Sequence, residues 1–181
     1  MNPEVFREYD VRGVVNKDLT EDFVFDLGRA AGAFSSRRGV RTMTVGRDCR
    51  LTSEAYQNAM IQGLLSAGLD VIDIGLCASP MLYFSIRHLE TDGGVMVTGS
   101  HDPPDFNGFK ICVGPDTIYG DDIQTLRKII EKGSYETGSG ALRTQSITAA
   151  YHNLIAGNVS LQWSLHIGVD GGNGVGGHFA V

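Results

Sequence analysis

The order of hydrophobic patterns in this 181-residue chain predicts an α/β fold, a three-layer α/β/α domain on a mixed sheet of about four strands. Two observations support the prediction. Runs with helical periodicity alternate with short β-branched runs, which is typical of a sheet that carries helices on both faces. The runs "GGVMVTG" and "FKICVG" are separated only by a polar loop, so we expect these two strands to be antiparallel neighbours.

Four runs in the first part of the chain have the periodicity of helices. "TEDFVFDLGRAAGAFSSRRG" begins with Thr20 as its expected N-cap, and "TSEAYQNAMIQGLLSAG" begins with Thr52 or Ser53 as a cap. "SPMLYFSIRHL" has Pro80 at its first position, where a helix tolerates proline. "GDDIQTLRKIIEKG" has acids at its start and bases near its end, as the helix dipole favours.

Four short apolar runs have the composition of strands. They are "RTMTVG", "LDVIDIG", "GGVMVTG" and "FKICVG". Each reaches a glycine at its end, which indicates a turn where the strand stops. These runs are therefore the expected strands of the sheet.

The chain changes character near residue 145. "GSYETGSGAL" is rich in Gly and Ser and predicts a loop, and "SITAAYHNLIAGNV" predicts a connecting helix. "WSLHIGVDGGNGVGG" predicts a new strand and turn, and a strand followed by so few residues cannot build a core. We therefore predict one domain over residues 1–145, followed over 146–181 by a connecting helix and the truncated beginning of a second, similar domain.

Composition excludes several classes of protein. The net charge is −6 and the basic residues form no stripe, so we expect no nucleic-acid partner. No run reaches the length of a membrane span, and "MNPEVFREYD" lacks the apolar core of a secretory signal. The three cysteines are far apart and form no CxxC, which favours reduced thiols in the cytoplasm.

The stretch "TGSHDPPDFNGFK" follows a predicted strand directly. Ligands of open α/β sheets bind at the carboxyl ends of strands, so Ser100 is a candidate for chemistry. A hydrolase nucleophile is disfavoured, because the stretch is not GxSxG and Pro103 and Pro104 prevent a following helix. His101 is adjacent in sequence, and adjacency seldom supplies the geometry of a Ser–His dyad.

Phosphoryl transfer is the other chemistry open to this serine. A seryl hydroxyl can hold a phosphoryl group as an ester, given a cation, positioning donors and a group that moves a proton. His101 and Lys110 are the candidates for these roles. The prolines and Asn107-Gly108 stiffen the loop, which allows Lys110 to be aimed back toward Ser100.

Four stretches resemble one known family in the same order. "TGSHDPPDFNGFK" resembles the phosphoserine loop of the alpha-D-phosphohexomutases, most closely that of the bacterial phosphomannomutase/phosphoglucomutase group. "FREYDVRGVV" is similar to the family's N-terminal Tyr-x-x-Arg-Gly segment, and "VGRDCRLTS" to its Gly-Arg-Asp-x-Arg turn. "VDGGNGVGG" resembles the opening of the family's second domain.

The resemblance implies a role for each matching residue. Ser100 would carry the phosphoryl group, and its phosphate would be one ligand of Mg²⁺. His101 would lie beside the phosphate, and Lys110 would assist proton transfer or contact the sugar phosphate. Tyr9 and Arg12 would reach into the cleft, where a guanidinium suits phosphate oxygens.

The resemblance also implies a reaction. Members of the family move a phosphoryl group between C6 and C1 of a hexose phosphate through a bisphosphorylated intermediate, and the substrate would be a mannose or glucose 1- or 6-phosphate. Arg47 and Asp48 would form a structural ion pair near the site. The residues that choose between sugars are not among these 181.

Two features depart from the family's pattern. Asp102 stands where the loop usually has Asn, and a carboxylate repels a phosphoserine unless Mg²⁺ or Arg12 bridges the two anions. The family's metal loop, sugar-recognition loop and C-terminal phosphate loop are absent, and with them three carboxylate ligands of the metal. We therefore expect this chain alone to have little or no mutase turnover, with domains II–IV missing.

Other interpretations of these residues stay open. His101 also fits a hydrogen-bonding neighbour rather than a proton carrier, and Arg12 a structural arginine. The run from Gly172 to Gly177 matches GxGxxG, although the helix and acid that would confirm a dinucleotide site do not follow within the chain. A non-catalytic phosphate-binding or interaction module derived from the same domain is the alternative function.

Overall fold

Strands and helices alternate along the computed structural model, which describes residues 1–180. The strands are β1 (Val11–Val14), β2 (Thr42–Arg47), β3 (Asp70–Leu76), β4 (Gly93–Val97), β5 (Phe106–Val113), β6 (Asp116–Thr117) and β7 (Leu142–Thr144). The α-helices are α1 (Glu21–Ser36), α2 (Ser53–Ser66), α3 (Ser79–His88), α4 (Asp121–Lys132) and α5 (Thr148–Gly157). Two 3₁₀ turns cover Pro3–Val5 and Val175–Phe179.

The strands form one mixed sheet in the order β1-β5-β4-β2-β3-β7, with β6 paired to β5. Strand β2 is parallel to β3 and β4, and β3 is parallel to β7. Strand β5 is antiparallel to both β4 and β1, so the predicted antiparallel pair and mixed sheet are confirmed. The sheet has seven strands rather than about four, because β1, β6 and β7 are short and carry too few residues to produce a periodic signal.

The helices cover both faces of the sheet, as the α/β/α prediction requires. One apolar cluster joins α1, α2 and α4 to one face, and a second joins α3 to the other. Alternation along the strands separates the two: Val71 belongs to the first cluster and Ile72 to the second. The three-layer domain follows from this alternation.

Helix ends follow the sequence signals closely. The Thr20 hydroxyl accepts a hydrogen bond from the Phe23 amide at 3.1 Å, so the predicted cap of α1 is confirmed. Thr52 occupies the cap position of α2, but its side chain makes no capping hydrogen bond to the helix. Pro80 lies at the second residue of α3, one position later than predicted. Gly133 ends α4 in a left-handed conformation, with φ of +59°.

Helices α1 and α2 approach closely at glycines. A Cβ on Gly28 would lie 2.6 Å from the Met60 carbonyl oxygen, and one on Gly63 would lie 2.3 Å from the Phe25 carbonyl oxygen. Neither site has room for a side chain, so the two backbones pack directly against each other.

The last part of the chain differs from prediction. The expected connecting helix is present as α5, whose Tyr151 packs edge-on against Phe84 of α3 at a centroid distance of 5.4 Å. The strand expected in "WSLHIGVDGGNGVGG" is wrong, since residues 158–174 form no strand. A strand needs a hydrogen-bonded neighbour, and none of the described strands lies beside this segment. Val181 lies outside the described residues, and the domain boundary near residue 145 stays a prediction.

Among the described helices, none combines the length and the apolar character that crossing a bilayer requires.

Candidate active site

The loop that connects β4 to β5 carries Ser100 at the carboxyl end of β4, where the sequence predicts it. Ser100 is exposed and has a φ of +51°, an uncommon left-handed conformation for a non-glycine residue. Its amide donates to the Thr98 hydroxyl at 2.9 Å, which fixes the first residue of the turn. The hydroxyl of Ser100 is therefore presented to solvent on a bent backbone.

Ser100 and His101 contact each other through their side chains. The distance between Ser100 Oγ and His101 Nδ1 is 3.2 Å, and both side chains are exposed. The expectation that adjacency would not give this geometry is wrong. Neighbouring side chains point apart in an extended chain, and the left-handed turn at Ser100 removes that alternation.

Asp48 lies beneath the loop and accepts several hydrogen bonds from it. Its Oδ2 accepts from the Thr98 hydroxyl at 2.7 Å and from the Gly99 amide at 3.3 Å. Its Oδ1 accepts from the Arg50 amide at 3.0 Å and from the Ser53 hydroxyl at 2.5 Å. The carboxylate thus ties the end of β2 to the start of the loop.

The predicted ion pair between Arg47 and Asp48 does not form. The Arg47 guanidinium pairs with Glu54 at 3.2 Å and donates to the Asp48 carbonyl oxygen at 3.4 Å. Asp48 pairs instead with Arg50, whose Nε lies 3.4 Å from Oδ2. The Asp48 carboxylate lies toward the Ser100 loop, where backbone amides and hydroxyl groups donate to its oxygens. The Arg47 side chain lies toward Glu54 of α2.

Arg50 is a residue that the sequence reasoning missed. Its guanidinium donates to four carbonyl oxygens of the loop region, at distances from 2.6 to 3.2 Å. The only sequence signal is the second arginine of "GRDCR", which the resemblance marks without a role.

A row of alternating charges runs along β1 and β5. Arg12 pairs with Asp10 at 2.5 Å and with Asp102 at 3.0 Å, and Lys110 donates to Asp10 at 3.1 Å. The strand register explains this arrangement. Arg12 lies opposite Gly108 of β5, and Lys110 follows two residues after Gly108 on the same strand. Asp10, which the sequence reasoning missed, therefore holds both predicted cations. No hydrogen bond joins Lys110 to Ser100 within residues 1–180.

The environment of Arg12 keeps its guanidinium charged. Burial by itself lowers the pKa of Arg12, but the charges and hydrogen bonds of Asp10 and Asp102 outweigh burial and raise the pKa above its ordinary value. Arg12 Nε is buried without a hydrogen-bond partner. Tyr9 precedes this row and is 63% exposed.

A cleft of about 780 Å³ opens beside the loop. Its walls include Ser100, Asp102 and Arg50, together with Asn173 and Val175 of the glycine-rich segment. The glycine-rich segment with the GxGxxG pattern thus borders the cleft that Ser100 faces.

The described residues do not form a metal cage. No group of three or more His, Cys, Asp or Glu side chains is placed to hold an ion anywhere in residues 1–180. Of the oxygen-bearing side chains on the loop, Asp102 is paired with Arg12 and Thr98 donates to Asp48, which leaves Ser100 and Asp105. A Mg²⁺ ion at this site would therefore need ligands beyond these side chains.

Comparison with known proteins gives consistent matches. The family model described as "Phosphoglucomutase/phosphomannomutase, alpha/beta/alpha domain I" matches residues 3–137. Phosphoglucomutase of Neisseria gonorrhoeae is 41% identical over 179 residues, which is 98% of this chain and 39% of that protein. Phosphomannomutase/phosphoglucomutase of Pseudomonas aeruginosa is 42% identical over 176 residues, 97% of this chain and 38% of that protein.

Solved structures agree with the sequence matches. A phosphoglucomutase/phosphomannomutase family protein from Burkholderia thailandensis superposes with a TM-score of 0.86 at 36% identity, covering 90% of this chain and 37% of that one. The chain thus spans less than two fifths of the length of these relatives. The family match covers more than half of the residues, and the serine loop, the paired charges of Asp10, Arg12 and Lys110 and the α/β/α layers are all present. The chain therefore belongs to the phosphoglucomutase/phosphomannomutase family, the alpha-D-phosphohexomutases.

Proposed function

We propose that this chain is the phosphoryl-carrying part of a phosphohexomutase, with Ser100 as the residue that holds the phosphoryl group. The observation that carries the proposal is the presentation of Ser100 Oγ, exposed on a fixed turn beside a cleft at the end of β4. Family membership supplies the reaction class, an isomerisation that moves phosphate between C6 and C1 of a mannose or glucose phosphate.

The transfer step balances as a displacement at phosphorus. Ser100 Oγ attacks a phosphoryl group of a hexose bisphosphate, an Oγ–P bond forms, and the bond from phosphorus to the sugar oxygen breaks. The seryl proton leaves Oγ, and the sugar oxygen takes up a proton. The sugar leaves as a hexose monophosphate. In the reverse step the free C1 or C6 hydroxyl of a hexose monophosphate attacks the phosphoserine phosphorus, the Oγ–P bond breaks, and the serine and a hexose bisphosphate are regenerated. Addition at one position followed by removal from the other is the net isomerisation.

The contact between His101 and Ser100 supports a role for His101 on the seryl proton. Its Nδ1 lies 3.2 Å from Oγ, within the reach expected of a general base. The same distance suits a histidine that only orients the hydroxyl. A His101→Gln variant separates the two roles, since the amide still accepts a hydrogen bond but cannot take up the seryl proton.

Arg12 and Lys110 supply positive charge to the phosphorylated site. A phosphoserine adds close to two negative charges, and Asp102 would repel it. The Arg12–Asp102 pair at 3.0 Å supports the expectation that Arg12 offsets this repulsion. Lys110, held by Asp10, is the candidate contact to the sugar phosphate or helper in proton transfer.

Mg²⁺ belongs to the proposal only as a partner of the phosphorylated serine. A phosphate on Ser100 would offer it one oxygen ligand, and the bound ion would neutralise charge on the transferring group. Among the described residues, no group of three or more His, Cys, Asp or Glu side chains is assembled to supply the remaining ligands.

The test is whether Ser100 takes up a phosphoryl group. The intact mass is measured before and after incubation with glucose 1,6-bisphosphate and Mg²⁺, and peptide mapping locates the added group. Wild type and a Ser164→Ala control, altered in an exposed loop serine, should gain one phosphoryl group on residue 100, and Ser100→Ala should gain none. Phosphate binding without any mass gain would overturn the proposal and favour a non-catalytic phosphate-binding module.

A further inference from the structure

We propose that Arg50 is a positioning residue that holds the Ser100 turn in the conformation from which Oγ accepts a phosphoryl group. The inference rests on the proposed function of Ser100 and adds the device that prepares the serine. Arg50 acts through the backbone of the loop, because its guanidinium contacts main-chain oxygens.

Arg50 donates hydrogen bonds to a set of carbonyl oxygens of the loop. Its Nη1 donates to Pro103 at 2.7 Å and to Phe106 at 2.9 Å. Its Nη2 donates to Asp102 at 2.6 Å and to Ser100 at 3.2 Å. These four oxygens extend from the serine to the first residue of β5, so one side chain fixes the whole turn.

Only a guanidinium can make this set of contacts. Arginine presents five N–H donors in a rigid plane, whereas lysine presents three donors on one atom at the end of a flexible stem. The side chain is only 15% exposed, so water does not readily replace the bonds. An Arg50→Lys variant therefore keeps the charge and loses the geometry.

Asp48 contacts both Arg50 and the start of the loop. Asp48 Oδ2 lies 3.4 Å from Arg50 Nε and also accepts from Thr98 and Gly99. The same carboxylate thus orients the guanidinium and anchors the residues immediately before Ser100.

Gly99, which has no side chain, leaves room for the Arg50 guanidinium. A Cβ on Gly99 would lie 2.5 Å from both Cζ and Nε of Arg50, so the guanidinium packs directly under the backbone. Ser100 follows in the left-handed region, which a non-glycine residue keeps only where its surroundings impose it. Arg50 supplies those surroundings through the next carbonyls of the chain.

The experiment measures single-turnover phosphoryl uptake from glucose 1,6-bisphosphate against donor concentration. Arg50→Lys and Gly99→Ala are compared with wild type and with Arg37→Met. The control arginine also bonds a carboxylate and a carbonyl oxygen, those of Glu136 and Ser134, but lies away from the loop. Thermal melting first establishes which variants are folded.

The expected result is a fall of about 10- to 100-fold in the rate constant for both site variants, because small misplacement of a reacting group has effects of that size. The half-saturating donor concentration should stay near wild type, since Arg50 does not contact the donor. The backbone amide of Asp102 donates to the Gly99 carbonyl oxygen at 3.0 Å. Hydrogen exchange at this amide should become faster in both site variants. If Arg50 only stabilised the fold, its substitution would change the melting temperature. It would not lower the rate constant while leaving the half-saturating donor concentration unchanged.

Two outcomes overturn the inference, and they are distinguishable. If wild type takes up phosphate and Arg50→Lys or a folded Gly99→Ala does so at the same rate, Arg50 has no positioning role and the function proposed for Ser100 stands. If wild type and Arg37→Met take up none, the proposed function fails and the inference fails with it.

Discussion

Arg12 Nη1 lies 3.0 Å from Asp102 Oδ2, so an ion pair joins the first strand to the loop that carries Ser100. The two side chains are 9% and 17% exposed. The pair sets a guanidinium against the carboxylate at position 102, where the resemblance predicts Asn.

Asp102→Asn should leave the fold intact and lengthen the lifetime of phosphoserine on Ser100. An amide still accepts a hydrogen bond from Arg12, so we expect a loss of about 1 kcal/mol in the free energy of unfolding. Removing the carboxylate also removes its repulsion of the phosphate. Urea unfolding and the decay of phosphorylated mass measure the two effects, and an unchanged decay would contradict the explanation.

Asp10→Asn should be the more damaging change. Asp10 is 7% exposed and pairs with both Arg12 and Lys110, so its loss leaves two cations without their shared partner. We expect a loss of about 3 kcal/mol in the free energy of unfolding. Asp122→Asn, which breaks an exposed pair with Arg38, should cost about 0.5 kcal/mol or less, and equal losses would refute the buried-pair argument.

Gly63→Ala should destabilise the contact between α1 and α2. The added methyl would lie 2.3 Å from the Phe25 carbonyl oxygen, a backbone atom that can move only if a helix moves. A loss of about 1–3 kcal/mol is expected from overpacking. Gly157→Ala is the control, since nothing lies within 4 Å of its Cβ, and calorimetry should find it close to wild type.

Thiol labelling of the folded protein should modify Cys49 and spare Cys77 and Cys112. All three thiols are free, but Cys77 and Cys112 are buried and Cys49 is partly exposed. Burial raises the pKa of Cys77 to about 12 and also raises the pKa of Cys112, so neither forms the reactive thiolate near neutral pH. Iodoacetamide followed by peptide mapping checks this, with urea-unfolded protein labelled at all three as control. Modification of Cys77 before unfolding would contradict the structure.

The 181-residue chain alone should show little or no conversion between hexose 1- and 6-phosphates. Its described residues form no metal cage, and the sugar-recognition and C-terminal phosphate loops implied by the resemblance are not in the sequence. A coupled assay with a full-length relative as positive control measures turnover. Robust turnover by the chain alone would show that these loops are dispensable.

Much of the fold follows from local patterns. Thr20 caps α1 where the sequence places it, and the polar loop after β4 returns directly into an antiparallel β5. Strand β1 escaped prediction because its four residues are too few to establish a period. The strand expected near Trp163 did not form, because a β-branched pattern specifies a strand only when a neighbour is available.

The chemistry of the candidate site was predictable from the sequence, but the contacts between its residues were less so. Ser100 and Arg12 carry motif signals, whereas Arg50 and Asp10 act through partners far away in sequence. The Arg50 guanidinium donates hydrogen bonds to residues at least 50 positions later in the chain, and Lys110 lies 100 positions from Asp10. Pairings of this kind are set by strand register and loop shape, which is also why Arg47 and Asp48, although adjacent, turned to different partners.

The edge position of β1 has a consequence for biosynthesis. Among residues 1–180, β5 is the only strand that pairs with β1, and it lies far downstream in the chain. During translation, which proceeds from the amino terminus, β1 has no strand to pair with until β5 emerges from the ribosome. The hairpin of β4 and β5 closes over a short contour, while docking of β1 closes a long one and is entropically slower. The loop that carries Ser100 should therefore fold early during translation. The ion pair between Arg12 and Asp102 should form last, when β1 docks.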